Sequence, residues 1–180
     1  QRVENVGATV GSELIQQAVM AIVLSWVLMI AYITIRFEFR FALAAIVALI
    51  IDVLVTLSYF SLFHMELDSS FVAALLTVVG YSVNGTIVIF DRIRENLKIH
   101  RRSESMTEMV DNSIWQTMGR SIYTVGTSLF AVVAIFIWGG ETIRNFSFAM
   151  LVGFSSGAYT STFLAGPLWM MLRKLKPGRD

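Results

Sequence analysis

The sequence predicts an all-α bundle of five membrane-spanning helices, and three observations carry that expectation. Hydrophobic residues fill 56% of the 180 positions and charged residues only 15%, with a mean hydropathy of +0.67, a balance foreign to a water-soluble domain of this size. Five apolar stretches reach the roughly 20 helical residues needed to cross about 30 Å of hydrocarbon: 14–35, 41–63, 70–90, 117–138 and 146–172. Only two prolines are present, so little in the chain interrupts a helix.

The positive charges orient the bundle. Arg36 and Arg40 lie between the first two spans. Arg92, Arg94, Lys98, Arg101, Arg102 and Arg120 lie in or beside the long connection, and Arg173, Lys174, Lys176 and Arg179 close the chain. These twelve fall on one side, against Arg2 and Arg144 on the other. The positive-inside rule then puts the N-terminus of this stretch outside and the C-terminus in the cytoplasm. An odd number of spans with an external start, and no signal pattern at Gln1–Asn5, implies an upstream crossing. A further span and an external domain are expected before Gln1, with residues 1–180 forming a single transmembrane domain.

Taken in order, the first span is almost wholly apolar from Ala18 to Ile35 and reads as a lipid-facing helix. Arg36-Phe37-Glu38-Phe39-Arg40 is too short for anything but a helical hairpin. The second span carries Asp52 at its centre, about 11 residues from either end and so roughly 16 Å from each interface. An acid at that depth is neutral, paired, hydrogen-bonded to a neighbouring helix or wetted by a cavity. Two readings stand: structural glue bridging to a hydroxyl or amide on the third span, or a station on an ion or proton path. The loop after it, with His64, Glu66 and Asp68, holds no Lys or Arg, as an external loop should.

The third span contains the densest pattern, Gly80-Tyr81-Ser82-Val83-Asn84-Gly85-Thr86-Ile87-Val88-Ile89-Phe90-Asp91-Arg92-Ile93-Arg94-Glu95-Asn96. Tyr81, Ser82, Asn84 and Thr86 place hydrogen-bonding groups where water is scarce. Asp91, Arg92, Arg94 and Glu95 mark an abrupt exit into a charged aqueous face. Thr77, Tyr81, Asn84 and Asp91 share a helical face, which makes Asn84 and Tyr81 candidate partners of Asp52. The exit charges also suit simple stabilisation of a helix end.

Residues 91–116 form a cytoplasmic connection. Ser105-Met106-Thr107-Glu108 has the form of a capping box opening an amphipathic helix. In the fourth span Thr117, Ser121, Thr124 and Ser128 recur every three or four residues beside Arg120, which either snorkels to the interface or turns inward toward the third span. The fifth span has Gly153, Gly157 and Ser161 at four-residue spacing, a pattern for close helix contact.

What is missing narrows the class. Without cysteine there is no disulfide or thiolate site, and no His and carboxylate grouping has metal-ligand spacing. No phosphate-cradling glycine loop and no nucleophile with its base is present, so no cofactor and no enzyme activity are expected. A net charge of +1 gives no reason to expect nucleic acid as a partner. A midplane acid, an arginine and polar stripes on adjacent helices are the parts of a proton-relay device.

Val6-Gly7 with Ser12-Glu13-Leu14, Tyr32-Ile33 with Arg36-Phe37-Glu38, Asp52-Val53, Gly80-Tyr81-Ser82-Val83-Asn84 and Asp91-Arg92-Ile93-Arg94-Glu95-Asn96 together resemble the SecF branch of the SecD/SecF family, accessory membrane proteins of the bacterial Sec translocon. The likeness runs over essentially the whole chain. It implies five helices of a six-helix half of the resistance-nodulation-division type, completed by a SecD half. It also implies work beside a SecYEG-type translocon, with inward proton flow assisting a translocating preprotein on the outer side.

One position departs from that pattern. The family motif continues with Asp after the Asn, whereas Gly85 follows Asn84 here. The resemblance assigns proton relay to that Asp together with an arginine matching Arg120. Asn84, Thr86, Asp91 and Arg120 are retained. Three readings of Gly85 stand: coupling runs through Asp52 and carboxylates of the partner half, the protein is a passive, proton-uncoupled accessory of the translocon, or the residue at this position has been altered from the natural one.

Overall fold

The computed structural model describes residues 2–99 and 105–175, with no side-chain description for 2–12, 14, 15 and 175. Arg101, Arg102, Ser103, Lys176 and Arg179 lie outside the described residues, as do the side chains of Arg2, Val6, Gly7, Ser12 and Leu14. The architecture is all helical: α1 (Arg2–Arg36), α2 (Phe39–Leu62), α3 (Ser69–Ile99), α4 (Met106–Trp138), a 3-10 turn (Glu141–Ile143), α5 (Arg144–Tyr159), a π-helical turn (Thr160–Leu164) and α6 (Ala165–Leu175). Among the described residues, five helical runs are long and apolar enough to cross a membrane.

Helix lengths exceed the apolar stretches because their polar flanks continue the same helices. α3 runs about two and a half turns past Phe90, carrying Asp91 to Lys98 on an unbroken helix. α4 starts at Met106 under a full capping box: the Ser105 side chain accepts from the Glu108 backbone N–H, and the Glu108 carboxylate accepts from the Ser105 N–H. The amphipathic stretch and the fourth span are thus one helix. Two residues, Phe37 and Glu38, turn the chain from α1 into α2.

α2, α3 and the α5–α6 run form the core, while α1 and α4 are peripheral. From Ala18 to Arg36 only Ile33 of α1 is buried, and beyond Thr117 only Val132 of α4 is. Buried apolar residues fall into two main clusters at different levels. One joins Phe41, Ala44 and Ala45 of α2 to Ile89, Phe90 and Ile93 of α3, Met109 and Val110 of α4, and Ala165 and Trp169 of α6. Phe41 ties it together, stacking on Trp169 at 4.7 Å and meeting Phe90 edge-on at 4.8 Å. The other joins Leu49, Val53 and Phe60 to Phe71, Ala74, Leu75, Val79 and Ala149.

Small residues set how closely α3 and α5 approach. A β-carbon on Gly153 would lie 2.3 Å from Val78 Cγ2, and one on Gly157 would lie 3.1 Å from Ser82 Cβ. Without side chains at these two positions, the backbone of α5 reaches the side chains of α3 directly. Between the two apolar levels lies a seam of buried polar residues: Asp52, Ser82, Thr86, Thr160, Ser161 and Thr162.

Candidate functional site

Asp52 is fully buried, at 0% exposure. Its carboxylate accepts a short hydrogen bond from Ser82 Oγ of α3 and one of 2.8 Å from Thr160 Oγ1 of the π turn. Thr56 Oγ1, one turn along α2, donates to the Asp52 main-chain carbonyl at 2.8 Å. No described ion pair reaches this acid.

Each partner arrives for a local reason. Ser82 faces inward because Val78, Val79, Thr86, Ile89 and Phe90 share the buried side of α3. Gly157 clears the space, since a β-carbon there would stand 3.6 Å from Asp52 Oδ2. The π turn then adds a residue to the helical repeat and turns Thr160, Ser161 and Thr162 into the protein together. Hydroxyls both donate and accept. Ser82 and Thr160 therefore satisfy a carboxylate and a carboxylic acid with the same heavy-atom positions, and the cradle suits a proton that comes and goes.

The sequence reading of Asn84 and Tyr81 as partners of Asp52 is not what the fold produces. They lie on the other side of the α3–α5 seam. There they line a small cleft of about 70 Å³ with Gly85, Ser161 and, from α4, Arg120 and Thr124. The step of two residues from Ser82 to Asn84 turns the side chain about 200° around the helix. The Tyr81 ring stacks on Phe154 at 4.0 Å, and its hydroxyl is buried with no hydrogen-bond partner among the described residues. Arg120 is exposed, lines this cleft, and has no described ion pair. Among the described residues no carboxylate lines the cleft. Thr86 is buried but belongs to neither the acid's hydrogen-bond set nor the cleft.

Gly157 joins the two halves of the site. It lines the arginine cleft on one side and borders Asp52 on the other. The acid and the guanidinium thus sit on opposite sides of a partition built from Ser82, Gly85, Gly157 and Ser161.

The motif exit divides between two neighbours. Arg92 donates to Gln116 and, at 2.7 Å, to Glu95, while Asn96 donates to Ser113 at 2.8 Å and to Gln116 at 3.1 Å. The bonds to Gln116 and Ser113 clamp α3 to α4, while the pair with Glu95 stays within α3. Asp91 and Arg94 face the α1–α2 turn instead: Asp91 lies 3.8 Å from Arg36, and the Arg94 guanidinium lies 5.6 Å from the Phe37 ring centre.

Sequence reasoning missed Thr160 and Gln116. A run of polar residues from Ser155 to Thr162 in an apolar span was the available signal for the first. Nothing local marks Gln116, whose partners come from another helix.

An all-helical bundle with long apolar helices, a buried acid in a hydroxyl cradle and an arginine-lined cleft defines a polytopic membrane protein. The chain belongs to the family described as protein export membrane protein SecD/SecF, C-terminal, whose profile matches residues 1–175. It is 78% identical to the protein translocase subunit SecF of Acidaminococcus fermentans over 96% of this chain and 59% of that protein. It is 48% identical to the SecF subunit of Alicyclobacillus acidocaldarius over 96% of this chain and 56% of that protein. The fold matches a crystal structure of SecDF, a translocon-associated membrane protein from Thermus thermophilus, with a TM-score of 0.83 and 38% identity, covering 87% of this chain and 22% of that one. A SecDF structure in a super-membrane-facing form also matches with a TM-score of 0.83, at 37% identity over 91% of this chain and 22% of that one. The chain spans less than three-fifths of the length of these two SecF relatives.

Proposed function

We propose that this chain is the membrane part of a SecF-type subunit that assists protein export through a SecYEG-type translocon, paired with a SecD half and driven by protons. The basic end of the bundle faces the cytoplasm and the opposite end faces outward, in a bacterial plasma membrane, as the charge distribution favours. The observation that carries the reading is the Asp52 cradle: the acid is wholly buried, without a cation, and held by two hydroxyls that accept either protonation state. Asp52 titrates, and changes of its charge work against the α3–α5 seam. Arg120 faces a carboxylate supplied by the SecD half, since its own cleft has none.

A second reading has its own support. The absence of an acid at Gly85 beside Arg120 favours a passive accessory that stabilises the translocon without moving protons.

Asp52→Asn in the full-length protein separates the two. A driven subunit loses uncoupler-sensitive export of a secreted reporter, and the proton leak that depends on the protein disappears. Full export by a stably assembled Asn variant leaves only the passive reading.

A further inference from the structure

At the basic end of the bundle, a groove of about 380 Å³ opens between the α1–α2 turn and α3. Arg36, Arg94 and Lys98 line it against a single lining carboxylate, Glu38, with Phe37 and Phe41 among them. Phe37 gathers two of the cations, with the Arg36 guanidinium 5.4 Å and the Arg94 guanidinium 5.6 Å from its ring centre. A shared aromatic ring draws like charges together, and that arrangement calls for an anion between them. The one described ion pair of these cations, Arg36 with Asp91, is loose at 3.8 Å, with both side chains half exposed.

Two further features favour a phosphate over a general negative charge. α2 begins at this groove, and its N-cap residue Glu38 makes no side-chain cap, so the positive end of a 24-residue helix meets the site uncapped. The groove is also amphipathic: Ile35, Leu97 and the Phe37 ring give it an apolar wall beside the cations. Its depth fits, because α1 ends at Arg36 and α2 starts at Phe39, where two apolar spans meet the headgroup layer.

We propose that this groove binds the phosphodiester headgroup of an anionic phospholipid, with the guanidiniums of Arg36 and Arg94 and the ammonium of Lys98 on the phosphate and the first carbons of the lipid against Ile35 and Leu97. A basic pocket between helices at the cytoplasmic face recognises anionic lipid by this combination of charge and apolar contact. This site is separate from Asp52 and Arg120 and stands whether or not the protein moves protons.

The test uses the full-length protein in neutral detergent, titrated with dioleoylphosphatidylglycerol or dioleoylphosphatidylcholine, with retained lipid counted by native mass spectrometry. Phosphatidylglycerol is expected to be retained in preference. Arg94→Gln with Lys98→Gln should lower its affinity roughly tenfold or more, while Arg173→Gln with Lys174→Gln, another basic pair at the same end, should leave it unchanged. If the double variant does not fold, Lys98→Gln alone, at an exposed position, carries the same test with a smaller loss. Equal retention of the two lipids, or an unchanged preference in the Arg94 and Lys98 variants, overturns the proposal. So does an equal loss in the Arg173 and Lys174 pair, which would mark a diffuse field rather than a site. Displacement of the lipid by millimolar inorganic phosphate would assign the groove to a free anion, and the lipid reading would fall.

Discussion

Ser161 on the π turn faces Gly85 on α3 so closely that a β-carbon on Gly85 would lie 3.0 Å from Ser161 Oγ and 3.3 Å from Ser161 Cβ. The contact is tight but ends on a small side chain, so it yields to a shift of a few tenths of an ångström. On its other side Gly85 lines the cleft that holds Arg120. A carboxylate introduced here shares the cleft with a cation once Ser161 gives way.

Gly85→Asp should therefore fold, at a cost of about 1–2 kcal/mol from crowding that is partly offset by attraction to Arg120. It should raise uncoupler-sensitive export, and Arg120→Ala should abolish that gain. Secretion of a reporter with and without uncoupler measures both. If the unmodified protein already has full Arg120-dependent, uncoupler-sensitive export and Gly85→Asp adds nothing, the relay needs no acid at this position.

Asp52 separates titration from packing. Asp52→Asn keeps size and hydrogen bonding, because the Ser82 and Thr160 hydroxyls accept as well as donate, so its thermal stability should stay within about 1 kcal/mol of the parent. Asp52→Leu leaves two buried hydroxyls without their acceptor, at a cost of about 1–3 kcal/mol for each unpaired group. Thr160 recovers part of that through its bond of 3.3 Å to the Gly157 carbonyl. A Leu variant as stable as the Asn variant would contradict the cradle.

Gly153→Ala tests the α3–α5 contact. The new methyl would overlap both Cγ atoms of Val78, at 2.3 and 2.5 Å, and the helices must part to admit it. A loss of about 1–3 kcal/mol follows from overpacking, and Val78→Ala in the same chain should restore much of it. A melting curve for the pair decides; an unaffected single variant means that the helices do not meet this closely.

The orientation is open to single-cysteine labelling, helped by the absence of native cysteine. Ser61→Cys and Thr142→Cys, both at exposed positions, should react with an impermeant maleimide in intact cells. Ser103→Cys should react only after the cells are opened. Labelling of Ser103→Cys from outside reverses the topology.

The all-helical class and the five apolar runs were legible because burial in lipid demands long, continuous hydrophobic segments with every backbone group paired internally. The capping box at Ser105 was legible for a similar reason, its two hydrogen bonds being local to four residues. The removal of Asp52 from water could be read as well, but its partners could not. Ser82 and Asn84 are both polar, lie two residues apart and offer equally good hydrogen bonds, so only the rotation of α3 against α2 and α5 selects between them. Thr160 was less accessible still. A π turn has no strong local signature, and regular α-helical spacing through residues 159–165 would have aimed the threonine elsewhere. Arg92 and Asn96 fit helix-end stabilisation, and their shared partner Gln116 emerged only from the packing of α3 on α4.

The π turn divides the run from Arg144 to Leu175 into two helical phases. Gly153 and Gly157 are aligned on α3 before it, and Trp169 is aligned on Phe41 after it. Removing one residue between Thr160 and Leu164 would let the run close into an uninterrupted α-helix, because the wider π turn holds one residue more than the α turn it replaces. The glycines and the indole would keep their alignments, since each residue of the π turn advances the helix by less than the roughly 100° of an α residue. What would go is the joint inward aim of Thr160, Ser161 and Thr162, and with it the second hydroxyl on Asp52. The extra residue serves the acid alone, and the helices on either side of it would stand without it.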